Sequence, residues 1–200
     1  DTLVVKGNTG DRVEGLSDGW VDAGMKDGMH AFTKQGVELL IDTTIVTNPP
    51  FIPSVIDLSS LDGHDGFRLD GAAAYDFSGR SVSGAGDING DGFDDVLIGA
   101  SESDANGFDS GSSYVVFGKA SGFAAHIDLS TLDGTNGFSL DGIHPDDSVG
   151  ISVSDAGDVN GDGLDDVIVS GDGSSYVMFG KASGFDAQID VSSMDGQNGF

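Results

Sequence analysis

The hydrophobic positions of this chain fall in short runs that are separated by polar, glycine-rich stretches. Runs such as Val96-Leu97-Ile98 and Val167-Ile168-Val169 are β-branched and too short to make a helix. Apolar residues nowhere recur with the 3.6-residue period of an amphipathic helix over a helical length. The pattern therefore predicts an all-β protein made of short strands joined by turns.

The pattern repeats from residue 55 onward. The segment Ile56-Asp57-Leu58-Ser59-Ser60-Leu61-Asp62-Gly63 returns almost unchanged at 127–134 and again at 189–196. Residues 95–114 of the first repeat correspond to the shorter stretch 166–176 of the second. A length difference that is confined to one place is typical of a surface loop, and it predicts one at Ser101–Gly111.

Each repeat contains four short strand candidates. They are Phe67–Leu69, Arg80–Ser83, Val96–Gly99 and Ser113–Phe117 in the first repeat, and Phe138–Leu140, Ile151–Ser154, Val167–Ser170 and Ser175–Phe179 in the second. Four short antiparallel strands per repeat are typical of a β-propeller blade. The chain therefore holds two complete repeats and a truncated third. Because propellers close with about four to eight blades, we expect a fragment of a longer protein.

Residues 1–47 have a different pattern and predict a small β-rich module. Its strand candidates are Thr2–Lys6, Arg12–Leu16, Gly19–Ala23, Met29–Thr33 and Val37–Val46, and its candidate core is Trp20, Phe32, Leu39 and Leu40. A module of this size is only marginally stable alone. We therefore expect it to pack against a neighbouring domain or to be the tail of an upstream domain. The prolines of residues 48–54 predict a linker, and residues 55–200 form the repeat domain.

The strongest chemical signal is an acidic loop that occurs once in each complete repeat, at Gly86–Asp95 and Gly157–Asp166. Oxygen-bearing side chains alternate with glycines there, and Ca²⁺ takes six to eight oxygen ligands. Positions one, three, five and nine offer side-chain oxygens, and position seven offers its backbone carbonyl. The predicted ligands are Asp87, Asn89, Asp91, Phe93 and Asp95 in the first loop, and Asp158, Asn160, Asp162, Leu164 and Asp166 in the second.

These loops have two other interpretations. An EF-hand also begins D-x-N-x-D-G, but it needs Glu at position twelve, where this chain has Ile98 and Val169. An Asx-rich turn without a metal is the second alternative, because Asp, Asn and Gly favour turns in any case. The same five-ligand spacing occurs twice, which favours calcium.

The composition narrows the range of partners. The chain has 34 acidic and eight basic residues, for a net charge of −26, and only Glu14, Glu38 and Glu102 among the acids are Glu. Nucleic acids and anionic membranes need a basic surface, so both are excluded as partners. Bound divalent cations would relieve the self-repulsion of so acidic a chain. The chain has no cysteine, which excludes disulfides and thiolate metal sites.

Other candidate sites have simpler interpretations. Asp104, Asn106 and Asp109 of the inserted loop either hold a further cation or belong to a solvated loop. Asp94 and Asp165, at loop position eight, are expected to face solvent or to cap a strand. Asp62 and Asp133 are expected to cap turns. The four histidines lack metal-ligand spacing and are expected at the surface: His30, His64, His126 and His144.

No catalytic constellation stands out. Ser81 and Ser113 lack the G-x-S-x-G elbow of a hydrolase. Acidic pairs such as Asp94 and Asp95 occur in both repeats, which favours a structural role over glycosidase chemistry. Phenylalanines recur in register and predict a core between blades: Phe67, Phe117, Phe123, Phe138, Phe179 and Phe185. We therefore expect a protein that is not an enzyme.

The segment Phe77-Ser78-Gly79 through Gly86–Asp95 to Gly99-Ala100 resembles an FG-GAP repeat, the blade unit of the integrin α-subunit β-propeller. The second copy is looser, because it lacks the aromatic residue and the terminal Gly-Ala. The long inserted segments resemble FG-GAP repeats of large bacterial secreted calcium-binding proteins such as RTX-type adhesins. The resemblance implies that the calcium sites support blade structure and that ligands bind at other loops.

These observations lead to one functional expectation with two alternatives. We expect a calcium-binding, secreted or cell-surface propeller segment, of bacterial type, that acts in adhesion or surface assembly. Its partners would be an extracellular protein or glycan, or neighbouring copies of itself. One alternative is a carbohydrate-binding or accessory propeller of a secreted hydrolase. The other is a subunit of an extracellular filament or sheath.

Overall fold

The computed structural model describes residues 57–200 and, before them, the strands within residues 2–5, 12–14, 21–26, 29–34, 37–42 and 46–48. The chain divides into two compact units, Asp1–Ser60 and Leu61–Phe200. The predicted linker at 48–54 lies, apart from residue 48, outside the described residues. Within the described part, no helix has the length and apolar character to span a bilayer.

The described residues of the first unit form six strands. They are β1 (Thr2–Val5), β2 (Arg12–Glu14), β3 (Val21–Lys26), β4 (Met29–Lys34), β5 (Val37–Asp42) and β6 (Val46–Asn48). Four of them form a sheet in the order β1-β5-β4-β3, in which β1 is parallel to β5. The prediction of one strand over Val37–Val46 is wrong, because β5 ends at Asp42 and β6 pairs separately with β2. Of the predicted core, only Phe32 has a described side chain, and it is buried.

The second unit contains ten further strands. They are β7 (Arg68–Asp70), β8 (Ser81–Gly86), β9 (Asp95–Ala100), β10 (Ser112–Val116), β11 (His126–Asp128), β12 (Gly137–Asp141), β13 (Ser152–Gly157), β14 (Asp166–Ser170), β15 (Ser175–Met178) and β16 (Gln188–Asp190). All eight strands that the repeats predict are present, with ends that differ from the prediction by at most three residues. The all-β fold class is confirmed.

The strands form two blades. The first blade is the antiparallel series β8-β9-β10-β12. The second is the antiparallel series β13-β14-β15, which continues through a bridge between Met178 and Gly199. A hydrogen bond links the first strands of the two blades. Ser81 Oγ of β8 accepts it from the Val153 N–H of β13, at 2.9 Å.

The second and third repeats each begin with a strand that the sequence did not predict. This strand pairs with a strand of the preceding repeat. The chain leaves β10, forms β11 parallel to β7, and then returns as β12 at the edge of β10. In the next repeat, β16 pairs in the same way with β12. We call β11 and β16 the clasp strands. Each consists of a polar residue followed by the Ile-Asp of the recurring segment, and three residues are too few to give a strand signal.

The hydrophobic core lies on both faces of the first blade. One face packs on the second blade through residues such as Leu97, Phe138 and Val169, which are at most 1 % exposed. The opposite face carries Ile98 and Tyr114 and packs under the clasp strand β11. The predicted phenylalanine core is confirmed for Phe117, Phe138 and Phe185, which pack together in the first cluster. Phe67, Phe123 and Phe179 are half-buried.

Candidate metal centre

A β-bulge precedes each acidic loop. The register of β8 against β9 shifts between Gly84 and Gly86, and that of β13 against β14 shifts between Asp155 and Gly157. Gly86 and Gly157 have φ values of 58° and 64°, a left-handed conformation that glycine adopts without steric cost. The bulge turns the chain out of the sheet just before the first aspartate of the loop.

Side-chain hydrogen bonds organise the first loop around its first aspartate. Asp87 Oδ1 accepts a hydrogen bond from the Asp91 N–H, and Oδ2 accepts one from the Gly92 N–H, both at 2.9 Å. Asn89 Oδ1 also accepts from the Asp91 N–H, at 2.8 Å. Asp91 Oδ1 in turn accepts from the Phe93 N–H at 2.9 Å. The side chains at positions one, three and five therefore all curl inward over the loop backbone.

The second loop repeats this arrangement at the equivalent atoms. Asp158 Oδ2 accepts a hydrogen bond from the Gly163 N–H at 2.9 Å, and Asn160 Oδ1 accepts one from the Asp162 N–H at 2.8 Å. Asp162 Oδ1 accepts from the Leu164 N–H at 2.9 Å. Two loops with different apolar residues at positions two and seven thus adopt one hydrogen-bond pattern, which the alternating Asp, Asn and Gly residues determine.

The aspartate at position nine fastens each loop to its blade. Asp95 is 1 % exposed, and its two oxygens accept hydrogen bonds from the Ile88 N–H at 3.1 Å and the Gly118 N–H at 2.8 Å. Asp166 is fully buried and makes the equivalent bonds to the N–H groups of Val159 and Gly180. The glycines at 118 and 180 belong to a recurring Phe-Gly-Lys segment, and the sequence alone did not associate them with the loops.

Negative charge is concentrated in the first loop. The pKa of Asp95 is raised to about 6, mainly by burial, with smaller contributions from the nearby charges of Asp91 and Asp87, and against the lowering effect of the Gly118 and Ile88 N–H groups. The three carboxylates are therefore close enough to repel one another. A bound cation would remove this repulsion.

The donor set of each loop fits a hard divalent cation. Each loop contains carboxylate oxygens, one amide oxygen and backbone carbonyls, the ligand types that Ca²⁺ prefers. A carboxylate oxygen that accepts one N–H hydrogen bond keeps a further lone pair for a metal. As placed, no three His, Cys, Asp or Glu side chains of the described residues converge on one point. Coordination would therefore require the side chains to reorient within the loop.

Asp165 has a role that the sequence did not reveal. We expected it to face solvent or to cap its own strand, but its Oδ2 accepts a hydrogen bond from the Asp87 N–H of the first loop at 2.9 Å. The Lys181 N–H donates to the Ile88 carbonyl at 2.9 Å in the same region. The second repeat thus holds the first residues of the first loop. An acid at position eight in both repeats was the available signal.

The inserted loop lies at the surface, as its length variation predicts, because Asp104, Ala105 and Phe108 are exposed, but its ends are buried. Ser101, Ser103 and Ser110 are at most 5 % exposed. Asn106 donates its amide hydrogens to the Gly142 carbonyl at 2.9 Å and to Asp190 Oδ1 at 2.8 Å. Its amide nitrogen therefore ties the loop to β12 and the clasp strand β16.

The remaining polar predictions concern turns and surface histidines. Asp62 and Asp133 cap their turns, because each accepts a hydrogen bond from the N–H two residues later, at 2.9 Å. His64, His126 and His144 are exposed, as expected. The side chain of His30 lies outside the described residues.

Comparison with known families gives one match. The family model described as FG-GAP repeat matches residues 78–116, which span β8, the first acidic loop, β9, the inserted loop and β10. A search of curated proteins finds no match for the chain. Residues 78–116 are thus similar to an FG-GAP repeat, and the second blade has the same order of its first three strands and the same hydrogen bonds in its acidic loop.

Proposed function

We propose that this chain is a calcium-binding, non-catalytic segment of an extracellular β-propeller that acts in cell adhesion or surface assembly. The observation that carries the proposal is the pair of acidic loops with one shared hydrogen-bond pattern. The FG-GAP match supports the extracellular propeller context. The partner would be an extracellular protein or glycan, or a neighbouring copy of the chain.

The proposed role of calcium is to hold the blades together. Asp87 is a candidate ligand, and its backbone N–H is bonded to Asp165 of the second repeat. Asp95 and Asp166 connect each loop to its own sheet. An ion that binds only the folded loops stabilises the native state by mass action. Extracellular calcium modules bind at roughly 10⁻⁴–10⁻³ M, so at about ten times this constant each site contributes about 1.4 kcal/mol.

The test is thermal unfolding in millimolar calcium and in chelator, with a pair of matched variants. Asp91→Asn removes a proposed carboxylate ligand, whereas Asp94→Asn removes the same charge from an exposed position of the same loop. Two sites at about 1.4 kcal/mol each predict a rise in Tm of roughly 5–10 °C for the native chain.

The variants separate coordination from general charge relief. Asp91→Asn should lose about half of the calcium-dependent rise, since one of two sites is weakened, and Asp94→Asn should keep nearly all of it. An equal loss in both variants would mean that calcium acts only by screening the net charge. A Tm that does not respond to calcium would contradict the proposal altogether.

A further inference from the structure

A cavity of about 420 Å³ lies between the first blade and the segment that precedes it. Its apolar wall includes Ala72, Ala73, Ala74, Leu129 and Leu132, and its polar wall includes Ser103, Ser112, Tyr114 and Ser139. Three carboxylates also line it, the buried Asp76 and Asp141 and the exposed Asp104. This size and this mixture of a few polar groups with apolar walls are typical of a small-ligand site.

The equivalent place between the two blades is filled. Residue 72 corresponds to Ile143 in the second repeat, and Ile143 packs against the core between the blades. The first repeat instead has three successive alanines here. The inserted loop, which the second repeat lacks, adds Ser103 and Asp104 to the cavity wall. The cavity is thus a property of the first repeat and not of the blade architecture.

The charges of the cavity are not balanced by protein groups. Asp76 is 7 % exposed and Asp141 is 6 % exposed, and no basic residue is among the residues that line the cavity. Asp76 Oδ2 accepts a hydrogen bond from the Ala73 N–H at 3.1 Å. This bond leaves the carboxylate with further lone pairs that a ligand can use.

The environment of both carboxyl groups disfavours their charged forms. Burial raises the pKa of Asp76, and the charge of Asp104 adds to this effect. Burial also raises the pKa of Asp141, and the charge of Asp190 adds to it, although hydrogen bonds from Ser112 and Ser139 act in the opposite direction. A cationic ligand would relieve these unfavourable charges.

We propose that this cavity binds an alkylammonium group, with its charge at the buried carboxylates and its methylene chain along the alanine wall. A metal ion is a poor fit, because the cavity is far larger than one ion and has apolar walls. The exposed rim at Ala73, Ala74 and Ala105 leaves an entrance. The ammonium belongs either to a free diamine or to a lysine side chain of a partner protein, and both have the same chemistry.

Calorimetric titration of the whole chain with defined probes tests the proposal. The probes are putrescine, a capped lysine tripeptide and the same tripeptide with acetyl-lysine, which has no charge. Salt at about 0.1 M limits the Debye length to about 10 Å and so reduces unspecific attraction to the acidic surface. Calcium is kept at about 1 mM so that the acidic loops are in the same state in every titration.

Three variants locate the binding. Ala72→Ile fills the cavity with the residue that the second repeat uses, and Asp141→Asn removes one buried charge. Asp109→Asn is the control, because this acid of the same inserted loop does not line the cavity. A lost charge-assisted hydrogen bond of about 1.5–3 kcal/mol corresponds to a loss of affinity of roughly 10- to 100-fold. Circular dichroism and melting of each variant establish that it is folded.

The expected result is binding of an ammonium probe to the native chain and to Asp109→Asn, with at least about tenfold weaker binding to the other two variants. Binding of putrescine identifies a free diamine as sufficient, and binding of the lysine peptide alone identifies a partner's side chain. The proposal is overturned if neither probe binds, if acetyl-lysine binds equally well, or if Ala72→Ile binds like the native chain.

Discussion

The contact between the second repeat and the first acidic loop gives a sharp prediction from two equivalent glycines. Gly86 and Gly157 both have left-handed φ values, 58° and 64°. A Cβ on Gly86 would overlap the Asp165 carboxylate, whereas a Cβ on Gly157 would have no atom within 4 Å. Alanine at either position therefore has the same backbone strain, and only Gly86→Ala displaces Asp165.

The magnitudes follow from these two contributions. The left-handed conformation costs an alanine roughly 1–2 kcal/mol at either site. Displacing Asp165 breaks its hydrogen bond with the Asp87 N–H, and a bond to a charged group contributes about 1.5–3 kcal/mol. We expect Gly86→Ala to lose roughly 3–4 kcal/mol of unfolding free energy and Gly157→Ala to lose only the strain. The difference of about 2 kcal/mol measures the contact between repeats.

Equilibrium urea denaturation in calcium measures both losses, as a shift of the midpoint at unchanged m-value. A double-mutant cycle of Gly86→Ala and Asp165→Ala isolates the contact between the two residues. Asp165→Ala should lower the unfolding free energy less in the Gly86→Ala background than in the native chain. Equal losses for the two glycine variants, or additive effects in the cycle, would refute the reasoning.

Three further predictions concern stability. Asp95→Ala should cost about 2–3 kcal/mol in urea unfolding, because it leaves the Ile88 and Gly118 N–H groups without their acceptor; the exposed Asp94→Ala should stay within about 0.5 kcal/mol, and equal costs would argue against the anchor. Burial raises the pKa of Asp141 above 3.8, so the folded chain binds more protons just above that pH, and its stability falls as the pH rises through this interval. Asp141→Asn should remove this fall in stability with rising pH, as measured by urea unfolding from about pH 4 to 7. An unchanged dependence of stability on pH would contradict the assignment of this effect to Asp141. Asn106→Ala should cost about 1–2 kcal/mol in thermal unfolding through two lost hydrogen bonds, and no change would show that the inserted loop is not tied down.

Repetition explains why the strands and acidic loops could be predicted from sequence. Runs such as Val96–Ile98 and Val167–Val169 are buried or half-buried along their length, and their shortness and the turn residues that flank them identify them as strands. The loop residues interact mainly with backbone N–H groups a few positions away. Such local hydrogen bonds depend on residue type and spacing, which a sequence displays directly.

Contacts between repeats could not be predicted in this way. Asp165 reaches the Asp87 N–H across 78 positions, and the clasp strands β11 and β16 pair with strands of the preceding blade. Their three-residue length gives no periodic signal. The buried ends of the inserted loop were also not predictable, since serine is usually exposed, whereas Ser103 and Ser110 are buried and the Ser110 hydroxyl donates a hydrogen bond to the Ser103 carbonyl.

The most direct test of the proposed function is a crystal structure grown in millimolar calcium, with anomalous scattering data to identify the ion. The proposal predicts one calcium in each loop, bound by six to eight oxygens at about 2.3–2.6 Å. These oxygens should include the carboxylates of Asp87 and Asp91 in the first loop and those of Asp158 and Asp162 in the second. Loops that contain no anomalous peak, and whose carboxylates bind only backbone N–H groups and water, would contradict it.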